Sequence, residues 1–202
     1  MRKAALTTLI VIGLMVIACS NDEDKAIHAQ EHDKNILMNK MHTMMDQMTL
    51  MTMSKDPDLD FANMMILHHK GAIEMANYEL QNGADAQIKA MAQDVIDAQQ
   101  QEIQQMEAII NGIPADQTDN AFAMELMKSM DKMGITADTQ LITGDTDHDF
   151  ATLMIVHHQS ALDNALVYLH HGNNAELKAM ANMMVEMQTK EIIDFGNWLV
   201  AN

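Results

Sequence analysis

Along most of this chain apolar residues return every three or four positions, and the runs that keep this period are long. They predict six helices. A short one at about 34–53 has a counterpart at about 119–133, where Gly134 supplies a stop signal. A long one spans about 57–82, opened by Asp56 as N-cap with Pro57 at the first helical position and closed by Asn82-Gly83. Its counterpart spans about 146–171 and closes at Gly172. Two more are predicted at about 85–111 and 174–200, the first with an apolar stripe through Met91, Val95, Ala98, Glu102 and Met106. Asn111-Gly112-Ile113-Pro114 breaks the pattern between them. Few β-branched or aromatic runs, two Pro and eight Gly make the fold class all-α.

The helices come in two sets of three because the chain repeats itself. DFANMMILHHKGAIEMA at 60–76 returns as DFATLMIVHHQSALDNA at 149–165, and from Leu37 to about Leu199 the offset stays constant without a gap. Met38 falls on Met127, Met41 on Met130, Gly83 on Gly172, Gln99 on Gln188 and Glu102 on Glu191. Each copy, 34–112 and 113–202, supplies one long helical hairpin, and two hairpins close into a four-helix bundle with approximate two-fold symmetry. The Met-rich helices then lie beside it.

Composition narrows the partners. A formal charge of −17 disfavours nucleic acid, whose phosphates would be repelled, and favours cations. At the N-terminus two basic residues precede an apolar run from Ala4 to Ala18 and the chain's one cysteine. The run is shorter than the roughly 20 residues of a spanning helix, so 1–18 reads as a signal peptide. Val16-Ile17-Ala18-Cys19 resembles a bacterial lipobox, which makes Cys19 the lipidated first residue of the mature protein and gives a membrane attachment by lipid anchor. The plainer reading of Cys19 is a buried thiol after an ordinary signal peptide. Ser20 in place of Asp favours the outer membrane, facing the periplasm. Polar residues 19–33 form a tether, in which His28 and His32 read as solvated.

The candidate chemistry is a repeated Met-x-x-His-His. On a helix Met65 lies between His68 and His69, on a face shared with Phe61, Ala72 and Ala76, so the imidazoles look toward the core or its edge. Met154, His157 and His158 repeat the arrangement. Glu102 and Glu191 stand on apolar stripes, the latter with Met180, Met184 and Met187; a carboxylate there needs a histidine or a metal ion. The plain alternative is a His–Glu pair that only fixes helix register. His170 and His171 sit in a last helical turn, where the macrodipole favours them without any ligand role. Methionine is the other anomaly, 23 of 202 residues, in ordered clusters at 38–48 (with Met41, His42 and Met45), 124–133 and 180–187. Such Met can be plain core filling. Yet Leu packs with better-defined rotamers and resists oxidation, whereas thioethers select Cu(I) or Ag(I) and imidazole takes either copper state.

The motif D-F, M-I-x-H-H, a Gly turn, K-x-M-A and Q-x-x-E-I resembles the bacterial domain-of-unknown-function family numbered 305, over nearly all of 37–199 and once per copy. The resemblance implies a ferritin-like bundle and a periplasmic copper-binding protein. It implies Met65, His68, His69, Glu102 and Met106 as ligands, with Met154, His157, His158 and Glu191 in the second copy. Met75 becomes Asn164, Met106 becomes Phe195, and Leu67 and Val156 stand where the family often has Pro, so a weaker second site is expected.

Three functions compete. A non-enzymatic lipoprotein that captures or buffers copper comes first, with copper-transfer proteins and further copies of the chain as protein partners. A di-iron oxidase would need Glu-x-x-His on two helices, and Met65 and Met154 occupy those Glu places. A purely structural lipoprotein would bind no metal.

Overall fold

The computed structural model describes residues 28–202. The expected signal peptide, Cys19 and the front of the tether lie outside the described residues. The helices are α1 (Ile36–Thr49), α2 (Pro57–Asn82), α3 (Ala86–Ile110), α4 (Asn120–Asp138), α5 (Thr146–His171) and α6 (Ala175–Ala201), and there is no strand among the described residues. A short 3-10 turn, His32–Lys34, precedes α1.

All four long helices start where local chemistry supplies a cap. Asp56 accepts from the Asp58 and Leu59 amides, Asp85 from Gln87 and Ile88, Asp145 from His148, and Asn174 from Glu176 and Leu177. Each cap satisfies amides that the helix itself cannot, contributing about 1 kcal/mol.

Antiparallel α2 and α5 form the centre of the molecule: Phe61 stacks on Tyr168 with ring centroids 4.1 Å apart, and further along His68 lies tilted against His157 at 3.7 Å. α3 folds back on α2 and α6 on α5, while α1 covers α2 and α4 covers α5. This is the four-helix, ferritin-like bundle with two extra Met-bearing helices. α3 and α6 meet only along a thin seam.

Three local expectations need correction. Gly134 does not end α4, which continues to Asp138; the glycine makes room for α1, since a Cβ there would stand 2.7 Å from Met45 Cε. α1 stops at Thr49, short of 53. The inward face of α3 runs through Ile88, Ala92, Val95, Gln99, Ile103 and Met106, leaving Ala98 and Glu102 at the edge. On α6 likewise, Met187 is 46% exposed.

The repeated Asp-x-Asp-Phe shapes the entry to α2 and α5. Asp60 accepts from the Ser54 amide and hydroxyl and the Lys55 amide; Asp149 accepts from the Thr143 amide and hydroxyl and the Gly144 amide. Lys55 and Gly144 hold equivalent positions with φ of 71° and 83°, so the first copy places a lysine where the backbone favours glycine. The last tether residues dock here too: the Gln30 amide donates to Ile142 O and the His32 ring bonds Gln140 O, so His32 is not a solvated linker side chain. His28 is exposed.

Candidate metal centre

The two His-His units face each other across the α2–α5 crossing, and all four imidazoles are fully buried. They form one row through the bundle: His69, His68, His157, His158, with successive ring centroids 6.2, 3.7 and 5.7 Å apart. A carboxylate closes each end. His69 Nε2 lies 2.6 Å from Glu102 Oε2, and His158 Nε2 lies 2.8 Å from Glu191 Oε2. Glu102 and Glu191 are only 15% and 23% exposed, so each joins the buried row to the surface. Whether the two His-His units stand apart or together was open in the sequence; the fold brings their four rings into one continuous row.

Protonation within the row follows from burial. Desolvation, reinforced by the neighbouring imidazoles, holds the pKa of His68 and His157 well below the usual histidine value, so both rings are neutral. His157 Nε2 donates to the His68 carbonyl at 2.9 Å, which leaves its Nδ1 bare and 3.5 Å from His158 Nδ1. On the other side of the His158 ring, Nε2 faces Glu191 Oε2. The contact is short yet off the hydrogen-bond line, and His158 Nε2 has no hydrogen-bond partner. A cation ligated by both in place of this direct contact would satisfy them. Both ring nitrogens of His68 and Nδ1 of His69 are also buried without a partner. Orphaned buried nitrogen costs about 1–3 kcal/mol each, and neutral imidazole is the form that binds copper.

The remaining expected ligands divide into three places. Met65, Met154 and Met106 are fully buried, as is nearly all of Met184 and Met180. Met41 is on the buried face of α1, and His42 Nε2 contacts Asp138 Oδ1 of α4 at 2.9 Å. Met45 instead lines a groove of about 470 Å³ between α1 and α4, together with Met48, Met51, Met127, Met130 and Met133. This thioether-rich groove lies apart from the histidine row. His171 bonds Asp119, the N-cap of α4, and His170 is exposed; neither joins the row. Among the described residues no three His, Asp or Glu side chains converge on one metal position, so any ion held here needs Met as well or low coordination.

Other polar residues of the core escaped the sequence reading. Gln99 is buried with neither amide atom partnered, and Gln188 Oε1 is buried likewise; their match across the copies was the available signal. Asn164, in the place of Met75, bonds Ser129 and reaches Met64 Sδ at 3.7 Å. Asp58 accepts from the Asn173 and Asn174 amides and from Tyr168 Oη at 2.6 Å, tying α2 to the α5–α6 turn. In the related place Asp147 accepts from the Ala84 and Asp85 amides, and the fully buried Glu79 carboxyl stands where Tyr168 would be. Desolvation, then the Asp147 carboxylate, push the Glu79 pKa up to about 8. Burial alone would raise Asp147 too, but the two amides and the Glu79 carboxyl outweigh it and hold Asp147 below the usual range.

Comparison with known proteins agrees with the fold. The sequence profile described as "Domain of unknown function (DUF305)" matches residues 15–110 and again 113–199. A DUF305 fragment from Deinococcus radiodurans superposes with a TM-score of 0.55 at 24% identity, covering 72% of this chain and 97% of that one. A DUF305 protein from Streptomyces coelicolor gives 0.58 at 23%, covering 74% and 94%. CopM in its Cu(II)-bound form gives 0.54 at 26%, covering 71% and 96%. No curated protein sequence matches significantly.

Proposed function

The chain belongs to the DUF305 family, and from that premise we propose that it is a non-enzymatic copper-binding lipoprotein that captures or buffers copper outside the cytoplasm. Copper is its cargo, and tolerance or delivery the purpose. The observation that carries this reading is the buried row of four imidazoles with unpartnered nitrogens, closed at each end by a glutamate. A core built for stability alone would replace those nitrogens with carbon, because each one unpaired disfavours the fold. The likeness to Cu(II)-bound CopM supports the choice of metal. So does the chemistry: thioethers at Met65 and Met154, where a di-iron bundle carries carboxylates, shift the preference toward Cu(I) and Ag(I), while imidazole and Glu102 or Glu191 accommodate Cu(II). The α1–α4 methionine groove offers soft ions a second, more open place.

Anchoring at Cys19, an outer-membrane address, handover to copper-transfer proteins and self-association complete the proposal. No helix among the described residues is long and apolar enough to cross a membrane. The test is Cu(I) competition against a chelator of known affinity. His68→Ala with His69→Ala is expected to weaken binding by at least about tenfold, and His170→Ala with His171→Ala to leave it near the parent's. Equal losses from the two pairs would show that histidine number, not the buried row, governs binding.

A further inference from the structure

The histidine row has no exposed ring atom surface of its own, so an ion must reach it through something else. The thin α3–α6 seam offers a way in. A groove of about 230 Å³ opens there, and Met91, Asp94, Met187, Lys190, Glu191 and Asp194 line it. Met187 is 46% exposed and Met91 partly so, which leaves two soft thioethers accessible from solvent. Three carboxylates against one lysine make the groove negative, and Lys190 is already paired with Asp194. At its inner edge Glu191 touches both worlds: it lines the groove and its Oε2 lies 2.8 Å from the buried, unpartnered Nε2 of His158.

We infer that this α3–α6 groove is the loading port for a soft monovalent cation, Cu(I) or Ag(I), which binds first at Met91 and Met187 and is passed by Glu191 to His158. The inference rests on the copper-binding reading above and adds the route. Accessible thioethers suit the softness of the ion, the carboxylates attract its charge, and Glu191 is the one groove ligand within reach of the row. The two-fold-related place is built differently. Met180, the counterpart of Met91, is buried there, Met183 stands where the port has Asp94, and Gln101, Gln105 and Ala98 stand where it has Lys190, Asp194 and Met187, leaving Glu102 as the one carboxylate among these counterparts. Loading is therefore one-sided, and His158 fills before His69.

The test is anaerobic stopped-flow loading of the full chain with Cu(I) supplied from a coloured chelator. Met91→Leu with Met187→Leu nearly conserves volume at partly exposed positions, so the fold is kept, as helical circular dichroism will verify. Loading of this variant is expected to slow by about tenfold or more while final stoichiometry matches the parent. Asp94→Asn with Asp194→Asn is expected to slow loading at low salt, with the difference from the parent shrinking as salt rises. Parental rates in both variants would overturn the port and leave the copper reading standing. A parent chain that takes up no Cu(I) would overturn both together.

Discussion

At the scale of single residues, His68 is the sharpest conflict between stability and function. Its ring is fully buried, neutral, packed at a tilt against His157, and has neither nitrogen partnered. Replacing it with Leu removes two orphaned polar atoms from the core at a modest change of shape. The metal-free His68→Leu protein is therefore expected to unfold at a higher temperature than the parent, by an amount corresponding to about 1–3 kcal/mol, while its Cu(I) affinity falls. A metal-free variant that melts below the parent would show that His68 serves packing rather than ligation. Gln99 poses the same question more mildly, since its amide is also buried without a partner.

Between elements, the hairpins are tied by two related but unequal latches. One uses the Tyr168 hydroxyl on Asp58; in the other the buried Glu79 carboxyl, whose oxygens have no partner while ionised, faces Asp147 and can donate a hydrogen bond to it only when protonated. Folding raises the Glu79 pKa from 4.5 to about 8, so the folded state holds a proton that the unfolded chain has released. The resulting contribution is fully present below about pH 4.5 and is lost as pH rises through about 8. Asp147 has the opposite sign: its depressed pKa lends stability that disappears as pH falls through its folded value. Urea unfolding of the parent and Glu79→Gln across pH 5 to 9 isolates the first effect, because every other titrating group is common to both. The parent's stability relative to the variant should decline with rising pH over that window; a constant difference would place the Glu79 proton elsewhere. Gly83 belongs to this latch, as a Cβ there would stand 1.8 Å from Glu79 Oε1.

For the whole molecule, the duplication decides what can fold alone. Each copy brings a hairpin and a covering helix, but the inner face of α2, with Phe61 and His68, is covered by α5 of the other copy. The isolated first copy, 34–112, would expose that face and can bury it only against another of itself, reproducing the two-fold contact. It should sediment as a dimer at micromolar concentration and lose helix on dilution. A folded monomer would mean that the α2–α5 contact is dispensable. The net charge of −17 acts at this scale as well, drawing cations to the protein before any particular groove selects among them.

The local features were legible in the sequence because they depend on neighbours in the chain. Asp56-Pro57 starts α2, Gly83 and Gly172 end α2 and α5, and the constant spacing between copies predicts two equivalent hairpins. The inward placement of Met-x-x-His-His was legible too, since helical spacing alone puts those side chains on one face with apolar neighbours. Tertiary structure decided the rest. The inward face of α3 was expected along Met91, Val95, Ala98, Glu102 and Met106, because apolar residues occupy adjacent rows; packing against α2 selects instead the row with Gln99 and sets Glu102 at the edge, where it meets His69. Gly134 reads as a stop until α1 lies beside it, and then serves as the hollow for Met45. The union of two His-His units into one row is a consequence of the antiparallel crossing of α2 and α5, a contact between residues far apart in sequence that no local period encodes.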